Sequence, residues 1–98
     1  MGRRALRKID PNLDYSDWLR EEEELPPQLP DPTLFGRTAP LEIEVGSGKG
    51  LFLTRATESC PEHDFLGIEI AGKYARYAAA ALAKRNRANG KLAHGDGV

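Results

Sequence analysis

The sequence predicts an α/β fold with a parallel sheet that begins near residue 41. Three observations lead to this prediction. Short β-branched or apolar segments alternate with helix-forming segments from residue 41 onward. A glycine-rich loop joins the first of these strands to the first of these helices. The resulting order of strand, helix, strand, helix, strand implies parallel strands joined by right-handed crossovers.

Three segments are predicted to be strands. Residues 41–45, LEIEV, alternate apolar and acidic side chains, as a strand with one covered face does. Residues 64–70, DFLGIEI, form a short apolar run bounded by polar residues. Residues 91–94, KLAH, form a third, shorter strand that is followed by a Gly-Asp-Gly turn.

Two helices are predicted between these strands. The first covers residues 51–60 and ends at Pro61, because proline cannot continue a helix. Its buried side is expected to contain Leu51, Leu53, Ala56 and Cys60. The second covers the alanine-rich residues 73–89, with Asn89-Gly90 as its predicted end.

The first 40 residues predict an extension rather than a packed domain. Four prolines between Pro26 and Pro32 remove backbone donors and favour an extended strap. We therefore predict a division into residues 1–40, a basic and acidic extension with a proline-rich strap, and residues 41–98, the folded part.

A short helix is predicted just before the strap, over residues 14–25. Ser16 or Asp17 would be its amino-terminal cap. Trp18 and Leu19 are expected to dock on a core, since a tryptophan more often packs than binds a ligand.

Composition excludes several classes of protein. The chain has 98 residues, 40% of them hydrophobic and 30% charged, which is ordinary for one small soluble domain. No stretch reaches the roughly 18 apolar residues of a membrane span, and no apolar segment follows the basic start as in a secretory signal. A single cysteine, Cys60, excludes an internal disulfide, so we expect a reducing, cytoplasmic environment.

Charge is segregated along the chain, although the net charge is only −1. Residues 1–9 carry +4, residues 10–44 carry −8 and residues 45–98 carry +3. A short basic arm before an acidic stretch can contact nucleic acid; a solvated tail is the alternative.

The loop EVGSGKG raises the question of which ligand it holds, and a nucleoside triphosphate fits poorly. A triphosphate loop needs the pattern GxxxxGK followed by Ser or Thr. Placing Gly48-Lys49 at its GK would put the first glycine at Ile43, inside the strand. The Ser or Thr position would be Gly50, so both anchor positions fail.

A dinucleotide fits the loop better but not fully. The fingerprint GxGxxG is matched by Gly46 and Gly48, whereas its third glycine falls at Leu51. The chain has a glycine one residue earlier, at Gly50. Leu51 would obstruct close packing beside a pyrophosphate, which weakens this alternative and leaves it open.

The spacing Glu44-x-Gly46-x-Gly48-x-Gly50 suits a cationic ligand without phosphate. S-adenosylmethionine is such a ligand, since it carries an ammonium group and a sulfonium. A carboxylate at Glu44 suits these cations and would repel a pyrophosphate, and the glycines let the backbone approach closely.

Two further acids lie at the ends of the next strands. Glu69 lies 19 residues beyond Gly50, where an acid can accept from both hydroxyls of a ribose. Asp96 follows the third strand and could accept from an adenine amino group. Because the carboxyl ends of parallel strands share one edge, we expect these acids and Glu44 to converge on a ligand there.

These motifs resemble the bacterial tRNA (guanine-N(7)-)-methyltransferases, a class I S-adenosylmethionine-dependent family. The segments LEIEVGSGKGLFL, DFLGIEI and LAHGDG carry the resemblance, with FLGIEI its most specific part, and it covers residues 41–98. It implies cofactor-binding roles at Glu44, Gly46, Ser47, Gly48, Gly50, Glu69, Ile70, Asp96 and Gly97.

The resemblance also implies what these residues do together. S-adenosyl-L-methionine would be the cofactor, tRNA the substrate, and guanine N(7) the methylated atom, a step of tRNA processing. The fold would be a Rossmann-like class I methyltransferase fold with only its first βαβαβ half present. Residues 41–98 would then be the truncated first half of the methyltransferase domain.

The truncation carries further expectations. The substrate half would be absent, so the chain would be an amino-terminal fragment that is inactive as an enzyme by itself. No catalytic residue is predicted. No metal site is predicted either, since His63, His94 and Cys60 are too isolated for a site of three or four ligands. The alternatives are another class I methyltransferase and a non-catalytic nucleotide- or RNA-binding module.

Overall fold

The computed structural model describes residues 6–97 and confirms the α/β class. Four parallel strands form one sheet: β1 (Leu19–Glu21), β2 (Leu41–Val45), β3 (Asp64–Glu69) and β4 (Gly90–His94). Their order across the sheet is β1-β4-β3-β2. Three helices accompany them: α1 (Pro32–Phe35), α2 (Leu51–Ser59) and α3 (Gly72–Lys84). The arrangement is that of part of a Rossmann-like fold, in which β2, β3 and β4 are the three strands that the sequence predicts.

Two hydrophobic clusters pack on opposite faces of the sheet, since side chains alternate along each strand. The first lies under α2 and α3 and contains Leu53, Phe65, Ala78, Ala79, Leu82 and Leu92. The second lies under α1 and the proline-rich strap and contains Leu34, Leu66, Ile68 and Ala93, with Leu25 and Leu29 packed against it. The strap therefore covers one face of the sheet.

The predicted helix over residues 14–25 is wrong. The chain forms a single 3₁₀ turn at Ser16–Trp18, then strand β1, then a second 3₁₀ turn at Glu22–Glu24. Strand β1 pairs with β4 in parallel, with Leu19 opposite Leu92. Without β1, the edge of β4 would present unpaired backbone groups, and pairing them outweighs a local helical preference.

Trp18 packs against the first cluster, and this confirms the predicted docking. Its indole nitrogen donates to the backbone oxygen of Arg87 over 3.0 Å. Leu19 packs against the same cluster.

Helix α3 is shorter than the predicted 73–89, because it ends at Lys84. Asn86 adopts a φ of +54° and so leaves the helical conformation, which asparagine tolerates better than most residues. Asn89 is then free to donate from its side-chain amide to three backbone oxygens, those of Thr57, Cys60 and His63. These contacts stabilise a loop where the sequence predicted a last helical turn.

Helix α2 turns most of its predicted side toward the first cluster, and Leu51 is the exception. Leu53 and Thr57 are buried, whereas Leu51 is 64% exposed. Thr57 is accommodated because its hydroxyl donates to the backbone oxygen of Leu53 over 2.7 Å. Ala56 and Cys60 pack at the margin of the first cluster.

Some predictions stay untested. The division at residue 41 remains a prediction, and β1 lies on one side of it while its partner β4 lies on the other. The basic arm of residues 1–9 falls partly on residues 1–5, outside the described residues. Within residues 6–97, no helix has the length and apolar character that a membrane crossing requires.

Candidate functional site

The loops that follow β2, β3 and β4 lie at one edge of the sheet, because the strands are parallel and adjacent. Every residue for which the sequence predicts a binding role lies in these loops or, as Glu44 and Glu69 do, at the carboxyl end of a strand. In the register of the sheet, Glu44 lies opposite Gly67, two residues before Glu69. Glu44 and Glu69 therefore project from the same face, the one that α2 and α3 cover.

The glycine loop adopts a conformation that requires its glycines. Gly46, Gly48 and Gly50 have φ angles of +80°, +57° and +86°. A side chain in this left-handed region costs roughly 1–2 kcal/mol. The loop is fixed to the sheet, since the backbone N–H groups of Gly46 and Ser47 both donate to the oxygen of Ile68, over 2.7 and 3.2 Å.

Gly50 also permits a close approach between the loop and α3. A Cβ atom at this position would lie 2.8 Å from the Cβ of Ala78, closer than real Cβ atoms come. Gly50 therefore provides the close packing for which a dinucleotide fingerprint uses its third glycine. Gly67 on β3 has a similar role, because a Cβ there would lie 2.3 Å from the hydroxyl of Ser47.

Glu69 connects the glycine loop to the start of α3. One of its carboxylate oxygens accepts from the backbone N–H of Gly48 over 2.7 Å, and the other accepts from that of Ala71 over 2.9 Å. The residue is only 7% exposed. A carboxylate has about four acceptor positions, so two remain for a ligand.

Glu44 has a different environment. Its Oε1 atom is buried and has no hydrogen-bond partner among the described residues. Leaving a carboxylate oxygen buried and unpaired is costly, and a cation or donor beside it would remove that cost. The loop folds over this side of the strand, where the hydroxyl of Ser47 donates to the backbone oxygen of Glu44 over 3.3 Å.

The turn after β4 contains Asp96 and Gly97, which are both exposed. Gly97 has a φ of +84°, and a Cβ there would lie 3.5 Å from Val45 on β2. This brings the turn across the sheet edge to the end of the first predicted strand. Val45 and Ile70 are 67% and 69% exposed, so apolar side chains lie beside the acids at this edge.

A family model described as "Putative methyltransferase" matches residues 38–98, well over half of the chain. The chain belongs to this methyltransferase family. The matched residues include β2, β3, β4 and all the loops described above.

Curated relatives agree with the family match. A tRNA (guanine-N(7)-)-methyltransferase of Rhodopirellula baltica is 57% identical over 96 residues, which cover 98% of this chain and 35% of the relative. Proteins of the same name from Leifsonia xyli subsp. xyli and Rubrobacter xylanophilus are 42% identical over 65 residues and 35% identical over 77 residues. These two alignments cover 66% and 71% of this chain, and 29% and 34% of the relatives. The chain thus spans about a third of the length of these three curated relatives.

Glu22 is a residue of the candidate site that the sequence did not reveal. Its Oε1 atom accepts from the backbone N–H groups of Asp96 and Gly97 over 3.1 and 3.2 Å. A Cβ at Gly95 would collide with the Glu22 side chain. Glu22 thus holds the turn after β4, although it belongs to a run of four glutamates that gives no sign of which one does so.

Among residues 6–97, no group of three or more His, Cys, Asp or Glu side chains is placed to hold a metal ion. His63 contacts Glu42 over 2.8 Å, and His94 contacts Glu21 over 3.0 Å. Both histidines thus pair with acids on neighbouring segments.

Proposed function

We propose that this chain forms the cofactor-binding part of an enzyme that uses S-adenosylmethionine to methylate guanine N(7) in tRNA. The family match and the names of the relatives support a methyl transfer and a tRNA substrate. The geometry of the site supports the nature of the cofactor and the residues that would bind it.

The observation that carries this proposal is the unpaired, buried carboxylate oxygen of Glu44. An anionic oxygen beside a glycine loop favours a ligand with a positive charge and disfavours a phosphate. The ammonium and sulfonium groups of S-adenosylmethionine meet this requirement. NAD and ATP would place phosphates beside the same oxygen.

Glu69 and the turn after β4 would bind the nucleoside part. The two acceptor positions left on Glu69 suit the two hydroxyls of a ribose, while its contacts with Gly48 and Ala71 keep the carboxylate in place. Asp96 would accept from the adenine amino group, with Gly97 next to it. Ile70 and Val45 would offer apolar contact to the ring, since both are largely exposed at this edge.

When bound, S-adenosylmethionine supplies an electrophilic methyl group on its sulfonium. Guanine N(7) has a lone pair and carries no proton at neutral pH, so no base is needed to activate it. The chain's own contribution is to position the donor by means of Glu44, Glu69 and the glycine loop. We assign no catalytic residue to it.

Calorimetry on the protein expressed from its complete reading frame tests the proposal. We expect binding of S-adenosylmethionine and S-adenosylhomocysteine, and no binding of NAD or ATP. Glu44→Gln removes a charge-assisted contact of roughly 1.5–3 kcal/mol, so affinity should fall at least about tenfold.

Glu42→Gln is the matched control, because it makes the same change two residues earlier on β2. The Glu42 side chain is 51% exposed and contacts His63, so affinity should stay within about twofold. Tight NAD binding without S-adenosylhomocysteine binding would overturn the cofactor assignment. Failure of radiolabelled S-adenosylmethionine to label N(7) of guanine in unmodified tRNA would overturn the reaction.

A further inference from the structure

A concave surface of about 400 Å³ lies on the outer side of α2 and α3, away from the sheet. Residues 7–13 of the amino-terminal segment form one wall. The other walls come from Lys49 in the glycine loop, the first turn of α2, and the second half of α3 from Tyr77 to Arg85. We call this surface the basic groove.

The groove concentrates positive charge. Five of its lining residues are cations, Arg7, Lys8, Lys49, Lys84 and Arg85, and only Asp10 is an acid. Within residues 6–97, none of the five cations forms an ion pair within 4.0 Å. Because the chain as a whole has a net charge of −1, this concentration of unpaired cations is a local feature.

The groove is also lined by apolar side chains and one aromatic ring. The apolar residues are Ile9, Leu13, Leu51, Ala80 and Ala81, and the ring is that of Tyr77. A surface that combines cations with an aromatic ring suits nucleic acid, since phosphates meet the cations and a base can stack on the ring.

Lys49 connects this groove to the candidate cofactor site. It lies between Gly48 and Gly50, in the loop that Glu69 holds through the N–H of Gly48. A nucleic-acid strand that followed the groove from Lys84 to Lys49 would therefore end beside the loop that is proposed to hold the methyl donor.

We propose that the basic groove binds the sugar–phosphate backbone of RNA and leads it toward the methyl donor. The choice of RNA as the ligand rests on the proposed function, whereas the groove and its positive charge are observed independently of that function. A negatively charged membrane is the competing partner. The groove favours RNA because it is concave, so that its apolar side chains line a recess, whereas membrane-binding surfaces project large apolar side chains outward.

The test uses two double variants that remove the same charge. Lys8→Ala with Lys84→Ala removes two groove cations. Arg55→Ala with Arg76→Ala removes two exposed cations of α2 and α3 that do not line the groove. The affinity of each for an unmodified tRNA transcript is measured by fluorescence anisotropy from 50 to 300 mM KCl. The protein is expressed from its complete reading frame, and folding is checked by circular dichroism.

Each phosphate contact contributes about 0.7–0.9 to the slope of log K against log salt concentration. The groove variant should therefore lose about 1.4–1.8 of this slope, and about 25- to 60-fold in affinity at 0.1 M salt. The control variant should lose far less of both.

Equal losses in the two variants would overturn the groove as an RNA site while leaving the proposed function intact. Absence of tRNA binding by the unaltered protein, under all these salt conditions, would overturn both. Groove-dependent binding to phosphatidylserine vesicles in place of tRNA would assign the surface to a membrane and overturn the choice of RNA.

Discussion

Replacing Glu69 by alanine should loosen both the glycine loop and the start of α3. The carboxylate accepts from the N–H groups of Gly48 and Ala71 over 2.7 and 2.9 Å, and hydrogen bonds to a charged group contribute roughly 1.5–3 kcal/mol each. Losing both should lower the free energy of unfolding by about 3–6 kcal/mol, or by about half of that where water reaches the freed groups. Glu69→Gln keeps one acceptor oxygen, so its free energy of unfolding should lie between those of Glu69→Ala and the unaltered protein.

Urea denaturation measures the global effect, and hydrogen exchange at the amides of Gly48 and Ala71 measures the local one. Glu42→Ala is the control, since the Glu42 side chain is 51% exposed and should change stability by less than about 1 kcal/mol. Unchanged protection of both amides in Glu69→Ala would refute the reasoning. A folded Glu69→Gln variant that binds S-adenosylmethionine as well as the unaltered protein would show that Glu69 is structural and does not contact the ribose.

Three further predictions concern other parts of the chain. Gly50→Ala should cost about 2–5 kcal/mol of stability, since left-handed strain adds to overlap with α3. Gly48→Ala should cost only about 1–2 kcal/mol, because nothing lies within 4 Å of the added atom. Equal losses of stability in urea denaturation would contradict this. A hydrogen bond from the thiol to Glu62 raises the pKa of Cys60. Glu62→Gln should therefore increase the thiolate fraction and speed alkylation by iodoacetamide at pH 8. An unchanged alkylation rate would be evidence against that contact. Burial lowers the pKa of Lys91 from 10.5, so the folded state binds this proton less tightly than the unfolded state does. The stability of the protein relative to Lys91→Met should therefore rise as the pH rises from the lowered pKa toward 10.5, and a pH-independent difference between the two unfolding curves would contradict this.

The sequence by itself determined the three strands after residue 40 and the edge at which the acids lie. LEIEV and DFLGIEI have the composition of strands, and alternation with helices makes those strands parallel. Parallel strands place their carboxyl ends together, so the positions of Glu44, Glu69 and Asp96 followed from local patterns alone. The glycines of the loop are likewise a local requirement, since the backbone at Gly46 has a φ that other residues rarely adopt.

Tertiary structure decided the fate of the first 40 residues and the end of α3. Residues 19–21 became a strand because β4 offered an edge to pair with, and no property of LRE predicts that partner. The loop after α3 is fixed by contacts to distant segments, including the bond from the Trp18 indole to Arg87.

Glu22 and the basic groove depend on the same kind of long-range contact. Glu22 lies 74 residues before Asp96, whose N–H it accepts, and one glutamate in a run of four is indistinguishable from the rest until the fold selects it. The groove joins Lys8 to Lys84 only because the amino-terminal segment crosses α3. Local patterns encode φ angles and the side that a residue faces, whereas the pairing of segments far apart in sequence depends on which backbone groups and cavities the folded core leaves available.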